Sequence, residues 1–417
     1  MTPITSNAPD IEAEASQGSL HLSKPAPAPF MSRYVEILLA TACGLAVASI
    51  YYAHPLLDAL ANEFTISHSS IGIVITVTQI CYALGLLLLV PLGDLLNRRQ
   101  LIPIQMLLSV FALIVVGFSP TSTVLLIGMA MVGLLAVVTQ VLVAFAATLA
   151  VPAERGRVVG LVTSGVVIGI LLARAFAGIV TDLAGWRSVY LVSATLMLIM
   201  VVALFRALPH YESENASLSY PQLIRSVLSL FRQERLLRIR AVLALFIFTA
   251  FSILWTSLVL PLSEPPLSLS HSSIGAFGLA GVTGALAAVR AGRLADRGLG
   301  QKTTGVALIL LLISWLPISY TKHSLLALII GVVLLDLAVQ AVHVTNQSMI
   351  FTVRPEARSR LTAGYMIFYS IGSATGSIAS TNIYAYAGWI GVCLLGTTVS
   401  ALALLFWALT LHSPHRK

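Results

Sequence analysis

Long apolar runs, each closed by charged or turn-forming residues, follow one another along the chain near 34–53, 71–91, 101–118, 123–150, 158–181, 187–205, 241–261, 273–291, 303–320, 325–351, 361–384 and 387–410. A helix that crosses a bilayer needs about 20 mostly apolar residues, so the pattern predicts twelve transmembrane helices. The longest break, 206–240, holds Arg206, Arg225, Arg232, Arg235, Arg238 and Arg240. It predicts a linker with an interfacial amphipathic helix around 220–232. The expected organisation is a flexible tail over 1–33, a six-helix bundle over 34–206, a linker over 207–240, a second six-helix bundle over 241–410 and a short tail over 411–417.

Composition narrows the class. Of 417 residues, 58% are hydrophobic and 10% charged, against roughly 45–50% and about 25% in soluble domains, which excludes an ordinary soluble enzyme. The net charge of +8 does not indicate nucleic acid, because it comes from the short connections. All of the 24 lysines and arginines except Arg174, Arg187 and Lys322 lie in the tails or in the connections after even-numbered spans, with Arg290, at the very end of span 8, counted with the connection that follows it. By the positive-inside rule that side is cytoplasmic, and a multi-pass protein of a bacterial inner membrane with both termini cytoplasmic is expected. Cys43, Cys81 and Cys393 sit in apolar runs without metal-ligand spacing, so neither disulfide nor metal is predicted. No phosphate-binding glycine loop, nucleophilic triad pattern or cofactor motif is present, and a non-enzyme without cofactor is expected.

An internal duplication fixes the symmetry. Ser67-His-Ser-Ser-Ile-Gly72 recurs unchanged as Ser270-His-Ser-Ser-Ile-Gly275, an offset of 203. The same offset carries Pro152, Arg155 and Arg157 onto Pro355, Arg358 and Arg360, Gly169 onto Gly372, and Ala184-Gly-Trp186 onto Ala387-Gly-Trp389. The interval holds six spans, an even number, so the halves are parallel repeats about an axis along the membrane normal.

Two loops carry a more specific signal. Gly93-Asp-Leu-Leu-Asn-Arg-Arg99 closes span 2 and Gly292-Arg-Leu-Ala-Asp-Arg-Gly298 closes span 8. Both resemble the G-x-L-x-D-R-x-G-R-[RK] loop of the major facilitator superfamily, and with the repeat the resemblance covers 34–410. It implies an all-α membrane protein of two parallel six-helix bundles and a secondary transporter of efflux type. It also implies a cytoplasmic gate at Gly93, Asp94, Arg98, Arg99, Gly292, Asp296 and Arg297. Asp296 keeps the pattern's acid; Asn97 replaces it in the first loop, where Asp94 stands three places earlier. Met129 stands where the drug-antiporter pattern has arginine, and Ile170 follows Gly165 and Gly169 where that pattern has proline. The drug-antiporter subgroup is therefore not implied.

Polar residues inside the spans mark the candidate site. Asp336, Gln340, His343 and Gln347 are spaced 4, 3 and 4 along span 10, which puts them within an arc of about 60° on a helix. An intramembrane carboxyl group is expensive and usually serves an ion or solute pathway. His343 repeats Gln140 of span 4, and the resemblance points both into a cavity lined by the first, fourth, seventh and tenth helices. Arg174 in span 5 lies roughly 10 Å below the outer surface and Asp336 roughly 16 Å, close enough for an ion pair across the halves. Gln79 and Tyr82, Trp255 and Thr256, and Tyr365 and Tyr369 are further cavity candidates. Tyr51, Tyr52 and His54 suit an outer aromatic belt, and His68 and His271 sit in serine-capped turns.

Burial favours a neutral carboxyl group and a nearby guanidinium favours the carboxylate. Relative movement of Arg174 and Asp336 would then move a proton, and the expected function is proton-coupled efflux of a small organic solute. The alternatives are uptake of an organic anion anchored on Arg174, and a non-transporting membrane sensor with the same fold. The partners expected are the solute, protons and the lipid bilayer.

Overall fold

The computed structural model describes residues 32–151, 154–209, 219–354 and 358–411; the predicted tails, apart from residues 32, 33 and 411, and part of the linker lie outside them. The described residues form helices and connections, with no strand among them. In chain order the helices are α1 (Arg33–Tyr51), α2 (Leu57–Phe64), α3 (Ile73–Leu88), α4 (Leu92–Leu95), α5 (Arg98–Gly117), α6 (Ser122–Leu135), α7 (Val138–Leu149), α8 (Arg155–Ala184) and α9 (Trp186–Ala207). From the linker onward come α10 (Tyr220–Gln233), α11 (Arg235–Ser257), α12 (Val259–Ser263), α13 (His271–Ala276), α14 (Gly281–Leu294), α15 (Gly300–Ser319), α16 (Leu325–Phe351) and α17 (Arg358–Leu411).

Among the described residues, nine helical stretches are long and apolar enough to cross a membrane. Three local features reconcile them with twelve crossings. The second crossing is carried by α3, an apolar helix of 16 residues. The eighth is interrupted, α13 passing through a 3-10 turn at Phe277–Ala280 into α14. The last two are joined as α17, which bends at Gly388, whose φ of 60° is left-handed backbone that glycine adopts without a steric cost.

Short polar residues begin the helices where the apolar pattern starts. Ser32, Thr121 and Ser324 accept hydrogen bonds from the exposed amides of α1, α6 and α16, and Ser219 and Gln222 form a capping box at α10. The seventh crossing starts at Arg235, inside the stretch assigned to the linker, so Arg238 and Arg240 belong to α11.

Glycines let helix backbones touch, the form of packing available where lipid removes the hydrophobic drive between helices. A Cβ on Gly165 would stand 2.1 Å from the Ala40 carbonyl oxygen and one on Gly169 2.3 Å from that of Gly44, so α8 lies directly on α1. In the second half Gly372 does the same against Leu245, bringing α17 onto α11. Gly165 and Gly169 are the glycines of the drug-antiporter pattern, and close packing accounts for them here.

The halves meet along two seams at the end remote from the arginine-rich connections. A Cβ on Gly72 would fall 2.4 Å from the Ser377 oxygen where α3 meets α17, and one on Gly275 2.3 Å from the Arg174 oxygen where α13 meets α8. The offset of 203 converts one pair into the other. At the arginine-rich end Glu36, 1% exposed, accepts two hydrogen bonds from Arg157, of 2.9 and 2.7 Å. Arg354 pairs with Glu234 at 2.7 Å on the second half.

Candidate solute and proton site

The face of α8 that carries Arg174 and Gly178 enters the seam between the halves. Gly275 and Gly278 remove the side chains that would block it: a Cβ on Gly278 would lie 3.0 Å from the Arg174 Cβ. Arg174 is 3% exposed. Its guanidinium carbon sits 3.9 Å from the ring centroid of Trp255, 5.2 Å from Tyr51 and 5.4 Å from Phe251. Three aromatic faces thus surround the cation, but Nε and Nη2 have no hydrogen-bond partner among the described residues.

Asp336, 4% exposed on α16, accepts a hydrogen bond of 3.1 Å from the indole N–H of Trp255. Its other oxygen faces Gly281, where a Cβ would come within 3.3 Å. Arg174 and Asp336 therefore share one chamber, with Trp255 between them rather than a direct ion pair. The depth argument brings the two to a common level; it has no means of inserting an indole from a third helix.

Below this chamber runs a chain of rings and polar groups. The Tyr51 hydroxyl lies 2.6 Å from that of Tyr369, whose ring packs on Phe248 at 4.0 Å between centroids. Phe248 meets His343 edge-on at 5.2 Å, and His343 Nδ1 is 3.0 Å from the Tyr365 hydroxyl. The Asn346 amide donates to Tyr365 at 3.5 Å, and Arg240 donates to Asn346 and to Thr304 at 3.1 Å each. The span 10 stripe takes part unevenly: Gln340 packs toward Gly284, while Gln340, His343 and Gln347 are half-buried. In the first half Tyr82 is buried and Gln140 half-buried, and the buried Gln79 leaves its Oε1 without a hydrogen-bond partner among the described residues. Thr256 shares a hydrogen bond of 2.9 Å with Ser377.

The loop residues of the expected gate stand at the arginine-rich end, away from this chamber. Arg98 donates to the Gly93 carbonyl at 2.6 Å and to Thr148 at 2.8 Å. Asn97 accepts from the Arg99 amide at 3.0 Å and caps α5, a structural use for the residue that departs from the family pattern. Gly292 lies against Val344, and Arg297 is exposed. The side chains of Asp94 and Asp296 lie outside the described residues.

Several contributors escape sequence reasoning. Arg240 reads as a linker charge but is 1% exposed inside the second half. Tyr51 reads as belt, whereas it touches both Arg174 and Tyr369. Phe248 and Phe251 are lost among apolar neighbours, and Asp182 at the end of α8 is hidden by its place beside a connection. The signal available for Asp182 was the interval of four that repeats from Arg174 through Gly178.

A model of the major facilitator superfamily matches residues 38–312 and 241–417. The chain belongs to that superfamily. Its members move small solutes across membranes, and the protein is accordingly a membrane transporter. It is 50% identical over 377 residues to the "Uncharacterized transporter YgaY" of Escherichia coli O157:H7, covering 90% of this chain and 95% of the relative. A "Probable sugar efflux transporter" of Mannheimia succiniciproducens is 22% identical over 358 residues, 85% of this chain and 88% of its own. Among solved structures, a bacterial homolog of the human lysosomal transporter Spinster, inward-facing and unoccupied, superposes with a TM-score of 0.74 at 13% identity. That match covers 90% of this chain and 96% of the other, and shows the shared fold.

Proposed function

We propose that the transporter exports a small organic solute by alternating access in exchange for protons, with Asp336 as the proton site and Arg174 as the group that empties it. The observation that carries this reading is the placement of Arg174 on α8 of one half against Trp255 and Asp336 of the other. With the seam closed, the guanidinium favours an ionised Asp336. When the halves rock apart, α8 withdraws with Arg174, and a carboxyl group left buried favours the neutral acid. A proton taken up on the seam side is thus given up when the seam closes.

By the charge count, the arginine-rich face with both tails is cytoplasmic and the seams are at the outer side of an inner membrane. Protons then travel inward. The solute is held deeper, by Gln79, Tyr82, Gln140, Gln340, His343, Tyr365 and Tyr369, with Gln347 nearer the cytoplasmic mouth. Amides, phenols and an imidazole beside aromatic rings suit a polar solute without net charge. Sugars, suggested by the name of the Mannheimia relative, are the first to test.

A second reading is favoured by the two unpartnered nitrogens of Arg174. An organic anion that occupied them would displace the influence of the guanidinium from Asp336, so anion and proton would bind together and travel in the same direction. Proteoliposomes with an interior pH dye separate the readings: an outward solute gradient acidifies the solute-loaded compartment in exchange and alkalinises it in cotransport. Solute flux without any pH change in either direction would defeat proton coupling.

A further inference from the structure

Arg174, Gly178 and Asp182 recur at intervals of four along α8 and therefore share one face of the helix. The three meet the second half in succession. Arg174 enters the aromatic chamber; a Cβ on Gly178 would stand 2.2 Å from the His271 carbonyl oxygen; Asp182 reaches the turn that opens α13. There one carboxylate collects four donors. The His271 amide reaches Oδ1 at 3.2 Å and the His271 ring Nδ1 lies 3.0 Å from the same oxygen; the Ser272 amide reaches Oδ2 at 2.8 Å, and the Ser272 hydroxyl donates to it as well.

The duplication shows that this cluster is not needed to build a seam. The offset of 203 maps Arg174 onto Ser377, Gly178 onto Thr381 and Asp182 onto Ala385, while His271 and Ser272 map onto His68 and Ser69. The second seam closes on Gly72 against Ser377 and on the hydrogen bond of 3.0 Å from Thr76 to the Ala374 carbonyl. It has the same serine-rich turn but no acid opposite: His68 Nδ1 has no partner among the described residues. The carboxylate stands at one seam alone, and that seam carries Arg174.

We propose that Asp182 is the latch of the outer seam and the positioning residue for Arg174. By holding the His271–Ser272 turn of the other half, it keeps α8 against α13, and α8 delivers the guanidinium to Trp255. The inference rests on the alternating-access reading, and it makes latch release and withdrawal of Arg174 one movement of one helix face.

The test is pulsed electron paramagnetic resonance on the full chain in lipid nanodiscs, without solute or gradient. Spin labels at Thr123→Cys and Lys322→Cys, in a background with Cys43, Cys81 and Cys393 replaced by Ala, report the separation of the halves at the outer side. Asp182→Ala should raise the long-distance population about tenfold, the scale of losing hydrogen bonds to a charged acceptor partly open to water. Asp182→Asn, which keeps one acceptor oxygen, should fall between. A distance distribution in Asp182→Ala that matches the parent overturns the proposal. Should Asp182→Ala not reach the membrane, Asp182→Cys with Ser272→Cys takes its place. Oxidation should then stop solute flux and reduction restore it; failure to cross-link, or flux indifferent to the cross-link, overturns the latch. Because the distances need no proton gradient, a failure of proton coupling would leave this result intact and be seen separately.

Discussion

At the level of single residues, Asp336 and Arg174 are unusual in what surrounds them rather than in being buried. Asp336 accepts from an indole N–H, and Arg174 has aromatic faces but few acceptors. Asp336→Asn keeps the shape and one accepting oxygen while removing the titratable proton. We expect it to retain solute exchange between equal compartments and to lose at least about tenfold of gradient-driven accumulation, measured with radiolabelled solute in proteoliposomes. Trp255→Phe keeps a ring beneath the guanidinium and deletes the donor to Asp336. It should shift the pH dependence of transport while leaving passive exchange, and an unchanged profile would show that the indole N–H has no part in coupling. Arg240 behaves differently, because its partners Asn346 and Thr304 lie within its own half. Arg240→Ala should lower the thermal midpoint without altering the ion stoichiometry.

At the level of helices, the pairing of charges at the arginine-rich end holds each half together. Glu36 on α1 is enclosed and satisfied by Arg157 of α8, which is itself about half exposed. Removing Arg157 would strand a buried carboxylate, at a cost of about 1–3 kcal/mol. Arg157→Ala should therefore melt several degrees earlier than Arg354→Ala, whose partner Glu234 is less enclosed; equal midpoints in differential scanning fluorimetry would refute the ranking. The interruption of the eighth crossing was not legible as a break. Its residues are apolar enough for one continuous helix, yet it tightens into a 3-10 turn at Phe277–Ala280, directly after Gly275 meets the α8 backbone.

Over the whole molecule, two copies of one six-helix unit have diverged at a few matched positions. Asp336 corresponds to Gly133, and Gly281, which makes room for Asp336, corresponds to Thr78. In the first half the glycine is on the fourth crossing, where a Cβ would press on the Thr78 carbonyl at 2.0 Å; in the second it is on the eighth. With the glycine on the eighth crossing instead of the fourth, the space beside Gly281 is taken by the Asp336 carboxylate. The orientation is open to direct measurement. Cysteines introduced at Ser122 and Ser263 should react with an impermeant thiol reagent added outside intact cells, and one at Ser229 should not. Labelling at Ser229 would reverse the assignment of the outer side.

The sequence alone determines the membrane class, the number of crossings, their parallel duplication and the residues that cannot be there for solubility. Each follows from a local cost: an apolar run must be long enough for the bilayer, a charge must have a reason to be inside it, and a repeat keeps its offset. The span 10 stripe and Arg174 were legible for that reason. What only the tertiary structure decided is which of these groups meet. Trp255 stands between the two charges, Arg240 is drawn from linker to core, and Asp182 finds its donors 89 and 90 residues away on the other half. Such contacts depend on the angle and approach of helices that the chain brings together from distant positions. Periodicity assigns a residue to a face of its helix, while the partner of that face is chosen by glycines on the neighbouring helix.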